Sequence, residues 1–491
     1  MPRGGPELLR LNSYPMTMQM SPHNVADLRA ALAAIVGEEH VLTEPEDVIA
    51  YGFDGTFFAN TPPLVVLPGS TAEVAAIHRH ADARRVAITP RAMGSGLSGG
   101  SVPLAGSIVL GVARLNRILA IDPVDRVAVV GAGVITADLQ AAVERVGLFY
   151  PPDPSSLKQS AIGGNVAENA GGARCLKYGV TTDYVLALEV VLPDGTVLRT
   201  GGRSVKNVTG YNLRALFTGA EGTLGTITEV TLRLLSKPRF ARTAMAIFAR
   251  IDDACEATNA VLASGVLPTS IELIDDVTAR CIEENTPIGL PLDVEAILLF
   301  GTDGNDERVV EEDTQRIAEI ARAQGAREIR VAANAAEAER MWSARRAISP
   351  SLARRRPNKL GEDIAVPRSA IPELTRRVRA IAAAYALEIP LFGHIGDGNL
   401  HPNILCNRRD PEEMGRVTAA AREIFETAVA LGGTLSGEHG IGLLKKQFME
   451  LDLGADAIAL MRRIKDAIDP NGIMNPGKVF PDPGGADAFH L

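Results

Sequence analysis

Three extended runs of small residues lie between positions 94 and 225, and they constrain the fold more than any other feature. The first is Gly94-Ser95-Gly96-Leu97-Ser98-Gly99. The second is Gly163-Gly164-Asn165-Val166-Ala167-Glu168-Asn169-Ala170-Gly171-Gly172. The third is Gly219-Ala220-Glu221-Gly222-Thr223-Leu224-Gly225. A rigid polar elbow, Pro151-Pro152-Asp153-Pro154-Ser155-Ser156, sits between the first two. Glycine permits positive φ and lets a main chain approach a ligand closely. One such run is satisfied by a turn between strands. Three within ~130 residues point to one long ligand threaded between backbones, with amide N–H groups turned toward its anionic part.

The first run matches G-x-G-x-x-G as a string. A dinucleotide site of the Rossmann type also needs the third glycine to open a helix, with an acidic residue about 20 positions on. Here Pro103 and Gly106 follow at once and then a strand, so nicotinamide binding of that type is excluded. Ser70-Thr71-Ala72-Glu73 has capping-box spacing, and Val74, Ile77 and Ala81 continue it as a helix. Strands are predicted at 86–88, 107–110 and 127–130, and a helix at 137–146. The first half is therefore mixed α/β. From about residue 240 the glycines thin out. Strands at 243–248 and 296–300 alternate with helices at 252–264 and 307–324, as in a second α/β domain. Further helices are predicted at 416–435 and 455–468. The tail from Asp482 reads as frayed, and the methionine-containing first twenty residues as a loose leader or an over-long start.

The length of 491 residues sets an expectation of about three structural units. The formal charge of −9 gives no field to attract a phosphate backbone, so no nucleic-acid partner is expected. The one basic run, Arg354-Arg355-Arg356 with Lys359, reads as a solvated loop or as a rim that draws in an anion. Cys175, Cys255, Cys281 and Cys406 form no C-x-x-C, so reduced thiols are expected rather than zinc or disulfides. No apolar stretch is long enough for a transmembrane helix, and no secretory signal is evident. A soluble, cytoplasmic protein is expected, with any membrane contact made through a partner.

At this point the chain resembles a known family. Pro90-Arg91-Ala92-Met93-Gly94 through Gly100 is similar to the pyrophosphate loop of the vanillyl-alcohol-oxidase (PCMH-type) FAD proteins, although Met93 stands where relatives often carry another glycine. The other two glycine runs are similar to that family's cofactor segments, and the likeness extends over residues 40–480. It is strongest to the group that holds the GlcD-type glycolate oxidases and the D-lactate dehydrogenases. The resemblance implies an α+β fold: a PCMH-type FAD-binding domain of two α/β subdomains, an α/β cap, and a helical C-terminal segment returning to the flavin. On this chain the boundaries are drawn at 1–34 (leader and first helix), 35–240 (FAD domain), 241–415 (cap) and 416–491 (C-terminal segment). It also implies cofactor contacts from Pro90, Arg91, Gly94, Ser95, Gly96, Leu97, Ser98 and Gly99; from Pro152, Asp153, Ser155 and Ser156; from Gly163, Gly164, Asn165, Asn169, Gly171 and Gly172; and from Gly222, Thr223, Gly225, Ile227 and Asn475. Asn475 opens Asn475-Pro476-Gly477-Lys478, which is similar to the family's flavin-proximal C-terminal motif. Some members tether FAD through a histidine in the first loop. That loop has none here, so FAD is expected to be non-covalent.

Three of the eight histidines fall in two tight motifs, Gly393-His394-Ile395-Gly396-Asp397-Gly398-Asn399-Leu400-His401 and Ser436-Gly437-Glu438-His439-Gly440. Imidazole and carboxylate together suit a borderline divalent ion, Zn or Mn, although the spacing also fits two surface turns. The resemblance implies His394, His401 and Glu438 as the metal ligands and His439 as general base. It also points to Arg345 as the anchor of a substrate carboxylate, a role that suits a guanidinium fork. Lys359 is a second candidate, although its spacing to Pro367 departs from some relatives.

The reaction implied is oxidation of a small D-2-hydroxy acid, glycolate or D-lactate. The ion would hold the hydroxyl, His439 would take its proton, Arg345 would orient C2, and the redox chemistry would be the flavin's. Electrons would leave to a quinone, an electron-transfer flavoprotein, an iron–sulfur subunit or oxygen, in a homodimer or hetero-oligomer. Three other readings fit the same residues: a non-redox FAD transferase, a metallohydrolase whose glycine runs are plain turns, and an FAD-binding subunit without activity of its own.

Overall fold

The computed structural model describes residues 22–104 and 106–483, so the leader reading and the tail beyond 483 fall outside the described residues. The chain divides into two compact units. The first comprises residues up to Ala170, Val180–Ser236 and the chain from Glu438; the second comprises Gly171–Gly179 and Lys237–Gly437.

Among the described residues the first unit holds two larger sheets and a two-stranded pair, Leu148–Phe149 with Leu235–Ser236. Strands β1 (Val41–Leu42), β2 (Val65–Val66), β3 (Ile88–Arg91) and β4 (Ile108–Gly111) pair in the order β1-β2-β4-β3, with β4 parallel to both β2 and β3. A second sheet is antiparallel, in the order β5-β6-β9-β7-β8, from β5 (Ile118–Asp122), β6 (Val127–Gly131), β7 (Val185–Val191), β8 (Val197–Gly201) and β9 (Thr226–Arg233). Helix α1 (Pro22–Val36) opens the described chain. Helix α2 (Thr71–Arg84) is capped as its sequence indicates: Ser70 Oγ accepts from Glu73 N–H at 3.3 Å. The reciprocal contact shifts by one residue, Glu73 accepting from Gly69 N–H at 2.7 Å. Helix α3 (Thr136–Glu144) follows β6.

Two boundaries differ from the sequence reading. The strand placed at 86–88 runs instead over Ile88–Arg91, because parallel pairing with β4 fixes it there and Pro90 is tolerated on an edge strand. The second glycine run is not all loop: Ile162–Glu168 forms helix α4. Packing overrides glycine's poor helix propensity, since a Cβ on Gly163 would lie 2.6 Å from Ala132 Cβ.

The second unit is built on an antiparallel sheet in the order β13-β10-β12-β11-β16-β17-β14, with β15 also paired to β17. Its strands are β10 (Phe240–Phe248), β11 (Ser270–Asp275), β12 (Ala296–Gly304), β13 (Ala326–Val331), β14 (Asn358–Gly361), β15 (Ile364–Ala365), β16 (Leu391–His394) and β17 (Asn399–Cys406). Helices α5 (Ile251–Ala263), α6 (Asp276–Asn285), α7 (Glu307–Ala323), α8 (Ala335–Arg355) and α9 (Ile371–Ala384) surround it. One face carries Met245, Ile247, Ile274, Ile297, Leu299, Phe392 and Leu405 against Ala344, Ile348 and Leu352 of α8. Burying each of the larger aliphatic side chains contributes roughly 1.5–3 kcal/mol. Helix α8 is thereby pinned over the sheet, and the same face carries the polar residues described below. The helix predicted at 416–435 runs over Pro411–Ala430, started by Asp410, whose carboxylate accepts from Glu412 and Glu413 N–H.

The basic run forms the end of α8 and is not a rim. Arg355 pairs with Glu284 at 2.8 Å and Glu388 at 3.2 Å, and Arg356 with Glu413 at 2.5 Å, so two of the three charges are spent inside the unit. All four cysteines are free thiols. Among the described residues no helix is long and apolar enough to cross a membrane.

Candidate active site

In the first unit, β3 delivers the chain into the first glycine run. Arg91, at its end, is buried and braces the run from below: it donates to Ser101 O and Oγ (both 3.2 Å), to Phe53 O (2.7 Å) and to Ala50 O (3.4 Å). A Cβ on Gly94 would fall 1.9 Å from the Arg91 guanidinium, and φ at Gly94 is +66°, so only glycine fits. Asp54 accepts from Gly99 N–H at 2.9 Å and Ser98 Oγ from Gly100 N–H at 3.2 Å, which locks the end of the run.

Parts of the second and third runs pack on this one. A Cβ on Gly164 would lie 3.0 Å from Ala92, and one on Gly222 would lie 3.2 Å from Pro90. Asn165 donates to Thr136 Oγ1 at 2.7 Å, and Asn169, at φ +55°, accepts from Thr182 N–H at 2.8 Å. Thr223 bonds Ala220 O at 2.7 Å, Gly225 packs against Val191, and Ile227 is buried in β9. The 151–156 elbow is held by Gln140, which donates to Pro152 O at 2.9 Å. Gly171 and Gly172 belong by packing to the second unit. The C-terminal segment closes the arrangement. Asn475 N–H donates to Ile88 O at 2.7 Å, and its side chain donates to Gly100 O at 2.9 Å and Glu221 O at 2.7 Å.

In the second unit, β11, β16, β17 and α8 assemble a buried polar strip. Phe392 faces His401 and His394 faces Asn399 across β16 and β17, so these side chains share one face of the sheet. The two imidazoles are edge to face, with centroids 5.2 Å apart. Glu272, on β11, is completely buried; it accepts from His394 Nδ1 at 2.5 Å and from Arg345 Nε at 2.5 Å. Burial alone would raise its pKa, but the charge interactions and hydrogen bonds with the His394 ring and the Arg345 guanidinium outweigh it and bring it down to about 2. With Nδ1 carrying the proton toward Glu272, the lone pair of His394 is on Nε2, the arrangement seen when a carboxylate orients a metal-binding imidazole. Asp363 is placed likewise 3.7 Å from His401 Nδ1, and it accepts from Asn399 at 2.6 Å and Ser436 at 2.7 Å.

Arg345 lies across the Phe392 ring at 5.3 Å, and Nε is its only hydrogen-bonded nitrogen among the described residues. Its two Nη groups are therefore placed to take an anion. Lys359 stands opposite Leu405 in the β14–β17 pair, on the same face as His401; it donates to Ser349 Oγ at 2.8 Å, and burial lowers its pKa. The second unit ends at Gly437, where a Cβ would lie 2.2 Å from Asn399 Nδ2. The next peptide bonds carry Glu438 and His439, whose Oε1 and Nε2 are 3.8 Å apart. Sequence reasoning missed Glu272, Asp363 and Asn399. Glu272 did leave a signal, a lone carboxylate inside the apolar run Ser270-Ile271-Glu272-Leu273-Ile274.

A model described as FAD binding domain matches residues 62–201, and one described as FAD linked oxidases, C-terminal domain, matches residues 237–479. The chain is 43% identical over 455 residues to glycolate oxidase subunit GlcD of Bacillus subtilis (strain 168), spanning 92% of this chain and 97% of that one. The chain belongs to the FAD-linked oxidase family. Within that family it falls in the group of FAD-dependent hydroxy-acid dehydrogenases and oxidases, being also 36% identical to a D-lactate dehydrogenase of Archaeoglobus fulgidus over 88% of this chain and 95% of that one. Its fold is that of p-cresol methylhydroxylase, with a TM-score of 0.79 at 18% identity, covering 94% and 98% of the two chains.

FAD is the family's cofactor, and the first unit fits it. Gly96 borders open space, since a Cβ there would meet nothing nearer than Glu168 Oε1 at 3.9 Å, and among the described residues the buried Glu168 Oε2 has no hydrogen-bond partner. Membership of this family removes the metallohydrolase alternative, which required the glycine runs to be plain turns.

Proposed function

We propose that this FAD-linked oxidoreductase oxidises a small D-2-hydroxy acid, glycolate or D-lactate, to the 2-oxo acid. The observation that supports this most is the pairing of Arg345 and His394 on the single buried carboxylate Glu272. An anion-binding group on helix α8 and a ligand-type imidazole on the sheet are held in fixed relation by one carboxylate. The substrate must lose a hydride from C2 and a proton from its hydroxyl. FAD, when bound, supplies the two-electron acceptor.

The residues proposed to hold it are those of the three glycine runs, the 151–156 elbow and Asn475. A divalent ion, Zn or Mn, would suit the His394, His401 and Glu438 donor set and would lower the pKa of the substrate hydroxyl. His439 takes the hydroxyl proton, since an imidazole's basicity matches neutral pH. Arg345 receives the carboxylate through its Nη groups, orienting C2. Lys359, on the same sheet face, adds positive charge.

The name of the Bacillus relative describes a subunit, and on that ground we place this chain in a hetero-oligomer or homodimer that passes electrons to a quinone, an electron-transfer flavoprotein or an iron–sulfur subunit. A cytoplasmic location, with membrane contact through such a partner, goes with it. Size-exclusion of the native complex tests this, and a monomer active with a natural acceptor would refute it. The substrate is tested by steady-state dye reduction with glycolate and with both enantiomers of lactate and 2-hydroxyglutarate. Turnover with glycolate or D-lactate and none with the L-acids is expected. Preference for L-acids, or for a substrate without a carboxylate, would overturn the proposal.

A further inference from the structure

Glu168 and Glu221 lie beside the same two glycines of the first unit. A Cβ on Gly100 would be 3.0 Å from Glu168 Oε1 and 3.0 Å from Glu221 Oε2; one on Gly440 would be 2.2 Å from Glu168 Oε2 and 3.1 Å from Glu221 Oε1. The two carboxyl groups are therefore neighbours, and their surroundings differ sharply. Glu221 accepts from Ile441 N–H at 2.7 Å and Gly442 N–H at 2.8 Å, and Lys478 and Lys445 face it. Lys478 is itself held by Val102 O at 2.5 Å and Asn475 Oδ1 at 3.2 Å, with Lys446 nearby.

Glu168 has no hydrogen-bond donor from the described residues, and its Oε2 is sealed from solvent. The charges that face it are Glu221 and Asp54, both acidic. Asp54 is already served by Thr56 and Gly99 N–H, with Arg91 beside it. An ionised Glu168 would face two other carboxyl groups without a single N–H among the described residues, an arrangement that disfavours the charged form. Burial raises both carboxyl groups: Glu221 to about 7 in spite of its two N–H donors, and Glu168, which has none and faces Glu221, well above the usual carboxylate range, so the first proton on the pair goes to Glu168.

A carboxylic acid has one O–H to place. Oε1 is the oxygen that faces the glycine run, 3.9 Å from where a Cβ on Gly96 would be, so a proton on Oε1 is the one that can be donated there. We propose that Glu168 is a neutral acid that donates a hydrogen bond to the FAD held by the 94–100 run, so that holding FAD requires one proton on the Glu168–Glu221 pair. A carboxylate at this place would repel the pyrophosphate. Glu168 is thus a positioning residue for the cofactor. The inference rests on the 94–100 run being part of the FAD site.

The test uses the holoenzyme. Free FAD after ultrafiltration is measured by fluorescence from about pH 6 to about pH 9.5, and the infrared carbonyl band of a protonated carboxylic acid is recorded. The wild type should lose FAD at alkaline pH, its apparent Kd rising about tenfold per pH unit beyond the transition, as expected for one linked proton. Glu168→Gln should remove one protonated-carboxyl band and flatten the pH dependence, the neutral amide still donating. A wild-type FAD affinity independent of pH overturns the proposal without any variant. So does a slope that survives Glu168→Gln, which would assign the proton to Lys478 or another group. Gly100→Val separates the two layers: unchanged FAD retention would refute the location of the FAD site, whereas loss of FAD with the acid band intact keeps that location and leaves the proton linkage to decide on Glu168.

Discussion

Two residues make separable demands on the chemistry. His439 is assigned the proton and Arg345 the carboxylate. His439→Ala should lower kcat on the order of 100-fold or more, with the flavin spectrum intact. Arg345→Met removes a charge-assisted pair worth roughly 1.5–3 kcal/mol, so KM should rise roughly 10–100-fold. The Glu272 carboxylate that Arg345 leaves behind still has His394 at 2.5 Å, which limits structural damage. Steady-state kinetics of both variants read this directly. A His439→Ala enzyme with near-normal kcat, or an Arg345→Met enzyme with unchanged KM, would remove that residue from its role. At this scale the sequence was informative where residue type is unusual. Histidines are scarce, so His394, His401 and His439 stood out. Glu272 and Asp363 are ordinary carboxylates whose importance arises from burial, and burial is set by strands that pair far apart in the chain.

At the scale of elements, the packing of α2 against the second sheet of the first unit turns on one buried imidazole. His78 lies between Leu192 O, 2.8 Å from Nδ1, and Thr226 Oγ1, 2.9 Å from Nε2. Burial lowers its pKa from 6.5 to about 4. Between these values the unfolded chain binds a proton that the folded chain refuses, so stability is complete above about pH 6.5 and falls as pH drops toward about 4. The loss amounts to about 3 kcal/mol at most. Urea midpoints of the wild type and His78→Asn measured from pH 7 to pH 5 check this. The wild-type midpoint should fall with acid more steeply than that of the variant; parallel curves would show that His78 is not the linked group. Helix α2 was readable because its cap is local. The helix Ile162–Glu168 was not, because two glycines at its start argue against helix, and only close packing on Ala132 and Ala92 reverses that. The strand at Ile88–Arg91 was misplaced for a related reason, since its register comes from β4 and not from its own residues.

For the molecule as a whole, the glycine runs carried most of the information. Backbone that must approach a large ligand needs glycine whatever packs around it, so the FAD assignment could be made from spacing and resemblance together. The way the chain partitions was less legible: the C-terminal segment from Glu438 packs with the first unit, so Asn475 reaches the Gly100 and Glu221 carbonyls from 375 and 254 positions away. No local pattern encodes that return. The central claim is that a hydroxy acid delivers a hydride to FAD with help from an ion held by His394, His401 and Glu438. The most direct measurement is flavin absorbance after anaerobic mixing with D-lactate or glycolate, on metal-replete protein and on protein whose metal loss has been verified. The account predicts full bleaching in the replete sample with the D-acid or glycolate, none with L-lactate, and bleaching slowed by an order of magnitude or more in the stripped sample. A flavin that stays yellow with every 2-hydroxy acid would contradict the oxidation itself, and equal bleaching rates with and without metal would contradict the role given to the ion.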